Sequence, residues 1–195
     1  MSSSATFLDP VVVPLIIGET VLDVGCGYGR WGGLIRSNFW EAGLATPPFV
    51  DGLDAFEPNV SLCVSSGNYR RVWLQQLPGP IDGRWDTVLA SEIIEHMEQR
   101  DVPAVLDTLE GAAKKRVIIT TPNAEYNRMW PTLPADKFRH RDHRFEWTRA
   151  EFQEWANRVA NQEKYVVYFS PVGPEDETVG SPTQMAIFDR EEKIV

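Results

Sequence analysis

The chain has 195 residues, of which 43% are apolar and 24% are charged, and its formal net charge is −9. This length predicts one domain over residues 1–195, with flexible ends at about 1–8 and 190–195, and excludes two ordinary domains. The first residues lack the basic segment of a secretory signal, and the apolar run at 11–17 is too short to span a bilayer. With only two cysteines, the sequence predicts a cytoplasmic protein without a membrane partner. The acidic charge argues against a long grip on a phosphate backbone.

Short apolar runs alternate with segments of helical periodicity along the chain. Strands are predicted at 21–24, 49–54, 72–74, 85–91, 116–121, 165–169 and 183–188. Helices are predicted through 30–36, over 102–113, and from Thr148, where Glu151 completes a capping box. Alternation of strands and helices, followed by a terminal strand pair, predicts an α/β fold with a mostly parallel seven-stranded sheet covered on both faces.

A glycine-rich turn, Gly25-Cys26-Gly27-Tyr28-Gly29, follows the first strand, and the second strand ends at Asp54. Ligands of such sheets bind at the carboxyl ends of the strands, where glycines let a cofactor approach the backbone. The spacing departs from the dinucleotide fingerprint and resembles the first motif of S-adenosylmethionine-dependent methyltransferases, in which an acid precedes the glycines. The resemblance implies a Rossmann-like class I methyltransferase fold and S-adenosylmethionine as cofactor. It implies cofactor binding by Asp23, Gly25, Gly27, Asp54 and Ser91.

Two acids and a histidine, Glu92, Glu95 and His96, directly follow the strand at 85–91. Their spacing of i, i+3 and i+4 predicts that they share one side of a helical turn. His143, in a basic run further along, is the expected fourth ligand, and His140 is the weaker choice. Two carboxylates with two neutral imidazoles suit Mn²⁺, Mg²⁺ or Co²⁺ better than a closed zinc site. We therefore expect metal-assisted catalysis in which these residues serve as metal ligands and catalytic groups.

Two runs in the second half, at 120–127 and 142–152, closely resemble the 3′-terminal RNA ribose 2′-O-methyltransferases. That family includes the plant and animal small-RNA methyltransferases and the bacterial RNA-repair methyltransferase, and the segments at 171–174 and 182–188 are most similar to the bacterial branch. The resemblance implies metal-dependent methylation of the terminal 2′-hydroxyl by S-adenosylmethionine, with Mn²⁺ or Mg²⁺. It assigns the metal to Glu92, Glu95, His96 and His143. The implied partners are an RNA 3′ end and an RNA-repair ligase or kinase-phosphatase.

A terminal ribose fits this ligand set for a chemical reason. Only the last nucleotide of an RNA has both ribose hydroxyls free, so its vicinal diol can chelate an ion. The metal would then identify the terminus and activate the 2′-oxygen together, with few base contacts. Gripping one or two phosphates is compatible with the net charge of −9.

Several alternatives stay open at this point. The residues from 31 to 76 are more similar to generic methyltransferases, and a proline-containing RNA-contact segment is not evident near the start. A small vicinal diol such as a catechol is therefore the alternative substrate, and a non-catalytic binding module is the alternative class. His96, His143 or no dedicated residue acts as the general base. Phe152 and Trp155 are predicted core residues, and Phe145 is open between the core and base stacking.

Overall fold

A computed structural model of the protein describes residues 6–41, 46–134, 136–163 and 165–191. The predicted flexible ends fall mostly outside these ranges. Within them, 3₁₀ turns at Thr6–Leu8 and Val13–Leu15 flank the short helix α1, Asp9–Val12, and Leu8 is fully buried. Among the described residues, no helix has the length and apolarity needed to cross a membrane.

Seven strands form one sheet, as the sequence predicts. They are β1 (Thr20–Val24), β2 (Phe49–Asp54), β3 (Arg71–Leu74), β4 (Trp85–Ser91), β5 (Ala113–Pro122), β6 (Tyr165–Val172) and β7 (Thr183–Arg190). Their order across the sheet is β3-β2-β1-β4-β5-β7-β6. The first five strands run parallel, and β7 lies antiparallel between β5 and β6. This is the predicted α/β architecture with a mostly parallel seven-stranded sheet.

Four longer helices connect and cover the strands. They are α2 (Arg30–Glu41), α3 (Glu57–Ser66), α4 (Val102–Ala112) and α5 (Arg149–Glu163). Helix α2 extends beyond the predicted 30–36. Helix α3 was not predicted, although it has typical boundary residues: a proline in its first turn and Gly67 at its C-cap. The predicted capping box of α5 is confirmed: Glu151 N–H donates to Thr148 Oγ1 at 3.3 Å, and Thr148 N–H donates to Glu151 Oε2 at 2.8 Å.

Two hydrophobic clusters lie on opposite faces of the sheet. Along β4, Val88 and Ala90 belong to the cluster that packs against α4 and α5, whereas Leu89 belongs to the one that packs against α1 and α2. Because both faces are buried, the central strands carry apolar runs, such as residues 88–90 in β4 and 117–119 in β5. Phe145, Trp147, Phe152 and Trp155 all lie in the first cluster, so the question over Phe145 is resolved in favour of the core.

The strand order places a crevice at a defined position. The chain crosses from β3 back to β4, so the connections that follow β1 and β4 leave the sheet in opposite directions, and ligands bind in such folds at this switch point. The glycine-rich turn follows β1, Asp54 ends β2 and Glu92 follows β4. The fold therefore brings three predicted functional segments to the same edge.

Candidate functional site

A cleft of about 540 Å³ opens at this edge of the sheet. Residues from each predicted segment line it, among them Gly25, Gly27, Asp54, Asn59, Glu92 and His96. We call the turn after β1 with its neighbouring acids the glycine end. We call the group Glu92, Glu95, His96 and His143 the histidine end, of which Glu92 and His96 line the cleft.

At the glycine end, Gly27 has a φ of +53°, and its N–H donates to Asp54 Oδ2 at 2.8 Å. A Cβ atom at Gly27 would meet no described protein atom closer than 3.9 Å, so the turn presents open backbone to the cleft. Asp54 Oδ1 accepts from Phe56 N–H at 2.9 Å and from Asn59 Nδ2 at 3.1 Å. A carboxylate has about four acceptor positions, so three bonds leave room for one ligand hydroxyl.

Asp23 is fully buried beneath the turn. Its Oδ2 accepts a hydrogen bond of 2.6 Å from the Tyr69 hydroxyl, while Oδ1 has no hydrogen-bond partner among the described residues. Burial raises the pKa of this carboxyl to about 7, although the Tyr69 bond acts in the opposite direction. A buried carboxylate with one unpaired oxygen is suited to a cationic group of a ligand.

Tyr69 holds this end together from behind. Its hydroxyl accepts from Gly32 N–H at 3.0 Å while donating to Asp23, and it therefore joins α2 to β1. Its ring fills space that side chains would otherwise occupy, since a Cβ at Gly32 would lie 2.5 Å from the ring and one at Gly52 would lie 3.0 Å from it. The sequence analysis did not single out Tyr69.

Ser91, the remaining predicted cofactor residue, ends β4 and is buried. Its hydroxyl lies 3.0 Å from Thr120 Oγ1 on the neighbouring strand β5. Ser91 is not among the residues that line the cleft. Its side chain joins the two central strands instead.

At the histidine end, Glu95, His96 and His143 each offer a ligand atom, and these atoms all lie within 4.8 Å of one another. Glu95 is fully buried, with Oε2 accepting from Thr121 Oγ1 at 3.0 Å and Oε1 lacking a partner among the described residues. The rings of His96 and His143 meet edge to face, with their centroids 4.8 Å apart. Mixed oxygen and nitrogen donors at this separation fit a divalent cation.

Glu92 stands apart from these three, and the prediction of a common helical turn is wrong for it. The 3₁₀ turn spans only Ile94–His96, while Glu92 has a φ of +54°. The reason is that Glu92 N–H still donates to Thr120 O at 3.0 Å, so the chain continues the sheet before it turns. The Glu92 side chain nevertheless lines the cleft, and its Oε1 has no partner among the described residues.

A second layer of side chains positions His143. Its Nδ1 lies 2.5 Å from Glu146 Oε1, which also accepts from Arg139 N–H at 2.8 Å, and Glu146 Oε2 accepts from Asn127 Nδ2. Burial opposes ionisation of Glu146, but the bonds from His143 and Asn127 lower its pKa overall. With Nδ1 engaged, Nε2 is left as the ligand atom of His143. Asn127 and Glu146 lie in the runs at 120–127 and 142–152, but the sequence alone assigned neither of them a role.

Charge at the histidine end also fits a cation. Burial, followed by the charge of Glu92, raises the pKa of Glu95 well above its ordinary value, and burial raises that of Glu92 to about 7. Burial, followed by the charge of His143, lowers the pKa of His96 and favours the neutral ring that a metal ligand requires. His140 lies outside the ligand group, although its ring centroid is 5.6 Å from that of His143.

Comparison with known proteins places the chain in a family. A family model described as a methyltransferase domain matches residues 11–159, which is most of the chain. The chain belongs to this family. Its fold is that of the S-adenosylmethionine-dependent methyltransferases, and within them the chain belongs with the Hen1-type small RNA 2′-O-methyltransferases.

Three relatives illustrate the relationship. The small RNA 2′-O-methyltransferase of Xenopus tropicalis is 43% identical over 110 residues, covering 54% of this chain, which spans only 29% of the length of that relative. The crystal structure of the methyltransferase domain of bacterial CtHen1-C is 30% identical with a TM-score of 0.74, and covers 95% of this chain and 97% of the other. A chain of the Pnkp1/Rnl/Hen1 RNA repair complex, at 19% identity, shares the fold with a TM-score of 0.73, covering 94% of this chain and 41% of the other.

Proposed function

We propose that this protein transfers a methyl group from S-adenosylmethionine to the 2′-hydroxyl of the 3′-terminal ribose of RNA, assisted by Mn²⁺ or Mg²⁺. The observation that carries the proposal concerns His96, which belongs to the ligand group and also lines the cleft. Glu92 lines the same cleft. The metal ligands therefore lie directly beside the cofactor pocket. A substrate hydroxyl at this position would lie close to the metal ion and to the cofactor.

In this proposal the glycine end holds the cofactor. The unpaired Oδ1 of Asp23 accepts from the ammonium group, Asp54 accepts from a ribose hydroxyl, and the open backbone at Gly27 lets the cofactor approach. Gly25 lines the same cleft and leaves room for the Ile93 side chain. The positive φ and open surface of Gly27 support this assignment. Ser91 contributes by holding β4 against β5.

The histidine end holds the ion and the ribose. A bound divalent cation would lower the pKa of the ribose 2′-hydroxyl and so ease loss of its proton to solvent. The 2′-oxygen would then bond to the methyl carbon as the bond from that carbon to the cofactor sulfur breaks, which leaves S-adenosylhomocysteine. Glu95, His96 and His143 provide the ligand atoms, and Glu92 adds a carboxylate from the cleft wall. Burial raises the pKa of both glutamates, and the charge of Glu92 raises that of Glu95 further, so a bound cation would favour the ionised form of each carboxyl. Glu146 orients His143 through Nδ1.

RNA is favoured over a catechol-like diol by two observations. The relatives with sequence identities of 30% and above are named as small RNA 2′-O-methyltransferases or Hen1 methyltransferase domains. The loop that carries His143 is also basic, since residues 126–144 contain five lysines and arginines against two aspartates in a chain of net charge −9. A terminal diol explains why an acidic protein can act on RNA, because few phosphates need to be bound.

One experiment tests the proposal. The protein is incubated with methyl-labelled S-adenosylmethionine, with Mn²⁺, Mg²⁺ or EDTA, and with matched RNAs that end in a 3′-hydroxyl or a 3′-phosphate. We expect labelling only of the 3′-hydroxyl RNA and only with metal, at the terminal 2′-oxygen by mass spectrometry of the digested product. Equal labelling of the two RNAs would exclude the diol mechanism, and labelling of catechol but not RNA would favour the small-molecule alternative.

The remaining assignments are part of the same proposal. Residues 1–195 act as one methyltransferase domain, whose sheet takes strands from Thr20 to Arg190. A structural neighbour is a chain of an RNA repair complex, which supports an RNA-repair ligase or kinase-phosphatase as partner. Both cysteines are free thiols, which supports a cytoplasmic location. Co-purification with candidate repair enzymes tests the partner directly.

A further inference from the structure

A second cleft, of about 740 Å³, lies outside the site described above. It is formed by the 3₁₀ turn Ala124–Met129 and by residues from 130–134 and 136–138. Its lining includes Asn127, Arg128, Trp130, Leu133, Lys137 and Phe138, and we call it the aromatic cleft. This volume falls within the range of about 300–1,000 Å³ that is typical of small-ligand sites.

The aromatic cleft exposes large apolar rings to solvent. Trp130 and Phe138 are each 43% exposed, although other aromatics nearby in the sequence, such as Trp147, are buried. The Arg139 guanidinium lies 5.7 Å from the centre of the Trp130 ring, and Tyr126 meets that ring edge to face at 6.4 Å. Exposed rings combined with arginine are the groups on which single-stranded nucleic acids stack.

The charges around the aromatic cleft favour an anionic ligand. Glu125 is paired with Arg149 at 2.6 Å, and Asp136 is paired with Lys137 at 3.3 Å. The exposed Arg128 also lines the cleft and acts electrostatically on Glu125, so Arg128 and Arg149 together set two positive charges against this acid. The cleft therefore offers a local positive charge to a phosphate group, although the net charge of the protein is −9.

Hydrogen bonds connect the aromatic cleft to the histidine end. Asn127 lines the cleft, and its Nδ2 donates to Glu146, which binds His143 through Nδ1. Arg139 donates to Asn127 Oδ1 at 3.2 Å and stacks over Trp130. Among these bonds, one side chain, that of Glu146, therefore lies between Asn127 in the lining of this cleft and the metal ligand His143. The cofactor pocket shares no lining residue with the aromatic cleft and reaches the same ligand group through His96 and Glu92.

We propose that the aromatic cleft binds the nucleotides that precede the 3′-terminal residue of a single-stranded RNA. The inference rests on the proposed function, because the terminal ribose must occupy the ligand group for the preceding bases to reach Trp130 and Phe138. The bases stack on these rings, and Arg128 contacts a backbone phosphate. This binding is independent of base identity, since every base offers a face for stacking.

The test measures RNA affinity by fluorescence anisotropy. A short single-stranded RNA with a 5′-fluorescein and a free 3′-hydroxyl is titrated with the full chain in the presence of Mn²⁺ and S-adenosylhomocysteine. For Trp130→Ala combined with Phe138→Ala, we expect the Kd to rise about 5- to 150-fold for each stacked base that is lost. Tyr168→Ala is the matched control, because Tyr168 is 53% exposed on β6 and lines neither cleft.

A second variant tests the charge. Arg128→Ala should reduce the slope of log affinity against log salt by about 0.7, the value for one phosphate of a single strand. Lys114→Ala, which removes an exposed charge at the start of β5, should leave the slope unchanged. Retained affinity for S-adenosylhomocysteine shows that each variant is folded.

The results separate this inference from the proposed function. If the double variant binds RNA as tightly as Tyr168→Ala, and wild-type protein still methylates the RNA, the inference is wrong and the proposed function stands. If RNA binding depends on the aromatic cleft but no methyl group is transferred, the proposed function is wrong. A raised KM for RNA in the double variant, with cofactor affinity retained, supports both.

Discussion

The two ends of the cofactor cleft are built differently. At the glycine end, the main-chain N–H groups of Gly27 and Phe56 donate to one carboxylate, and the geometry follows from a tight turn between neighbouring elements. At the histidine end, side chains bond to side chains across 19 to 26 residues of sequence, as in the pairs Asn127–Glu146 and Thr121–Glu95. The first arrangement depends on local conformation and the second on the whole fold. Single substitutions should therefore have different consequences at the two ends.

The largest effect is expected at the ligand group itself. His143→Ala removes a nitrogen donor, and we expect methyl transfer to fall at least about 100-fold, because a catalytic metal contributes several kcal/mol to transition-state stabilisation. Affinity for S-adenosylhomocysteine should be retained, because His143 does not line the cofactor cleft. His140→Ala is the matched control, since His140 lies beside His143 but outside the ligand group. Similar losses in both variants would contradict the assignment.

The next effect concerns the second layer. Glu146→Ala leaves His143 Nδ1 and Asn127 Nδ2 without their acceptor, and we expect Mn²⁺ to bind about 10- to 100-fold more weakly. Electron paramagnetic resonance of free Mn²⁺ measures this without any reliance on activity. Glu146→Gln keeps an acceptor oxygen, so its affinity for Mn²⁺ should lie between that of Glu146→Ala and that of wild-type protein. Glu154→Ala, which changes an exposed acid on α5, should bind Mn²⁺ normally.

A pH effect is expected at the glycine end. The pKa of Asp23 is about 7, and a cationic ligand favours the ionised carboxyl, so binding at lower pH must displace a proton. We expect the affinity for S-adenosylhomocysteine to fall about tenfold for each pH unit below that pKa. Calorimetry across the pH range measures the slope. Asp23→Asn should bind weakly at every pH, and a slope that persists in this variant would assign the proton to another group.

The same pKa has a consequence for stability. The folded-state value lies above the ordinary 3.8, so the protonated carboxyl stabilises the cofactor-free fold. This contribution is complete below pH 3.8 and is lost as the pH rises to about 7. Asp23→Asn should therefore gain thermal stability relative to wild-type protein above pH 7 when no cofactor is present. Addition of S-adenosylhomocysteine should reverse the order of the two melting temperatures.

The smallest effect is expected away from both ends. Thr148→Ala removes the N-cap of α5, and we expect a loss of about 1 kcal/mol in the free energy of unfolding. Urea denaturation measures this loss. Methyl transfer and Mn²⁺ affinity below the transition should match wild-type protein, because Thr148 lines neither cleft. Reduced Mn²⁺ affinity would mean that α5 positions the His143 loop.

The sequence predicted the glycine end more completely than the histidine end, for a physical reason. The turn at 25–29 and the acids Asp23 and Asp54 belong to strands and turns whose conformation is local, so their spacing carries the information. All seven strands were predicted for the same reason, because each contains a short apolar or β-branched run. Helix α3 was missed because its apolar residues do not share one face: Val60 and Cys63 are buried, whereas Leu62 and Val64 are exposed.

At the histidine end, spacing alone was insufficient. The prediction that Glu92 shares a helical turn with Glu95 failed because Glu92 is held by a hydrogen bond to β5, which no local pattern encodes. The roles of Glu146 and Asn127 depend on a loop of irregular structure that returns to the sheet. A glutamate three residues after a histidine was the available signal, but that spacing is common on surfaces. Only the folded chain distinguishes these cases.

The Tyr69 ring has one further consequence. It occupies the volume that side chains at positions 32 and 52 would need. Helix α2, strand β2 and the bend before β3 therefore compete for the same volume. A larger residue at either glycine is therefore tolerable only together with a smaller one at 69, and such a compensated pair would sacrifice the hydroxyl that anchors Asp23. Substitutions at the cofactor site must therefore be made in pairs, at position 69 together with position 32 or 52. By contrast, the packing of the protein allows the exposed rings of the aromatic cleft to be replaced one at a time.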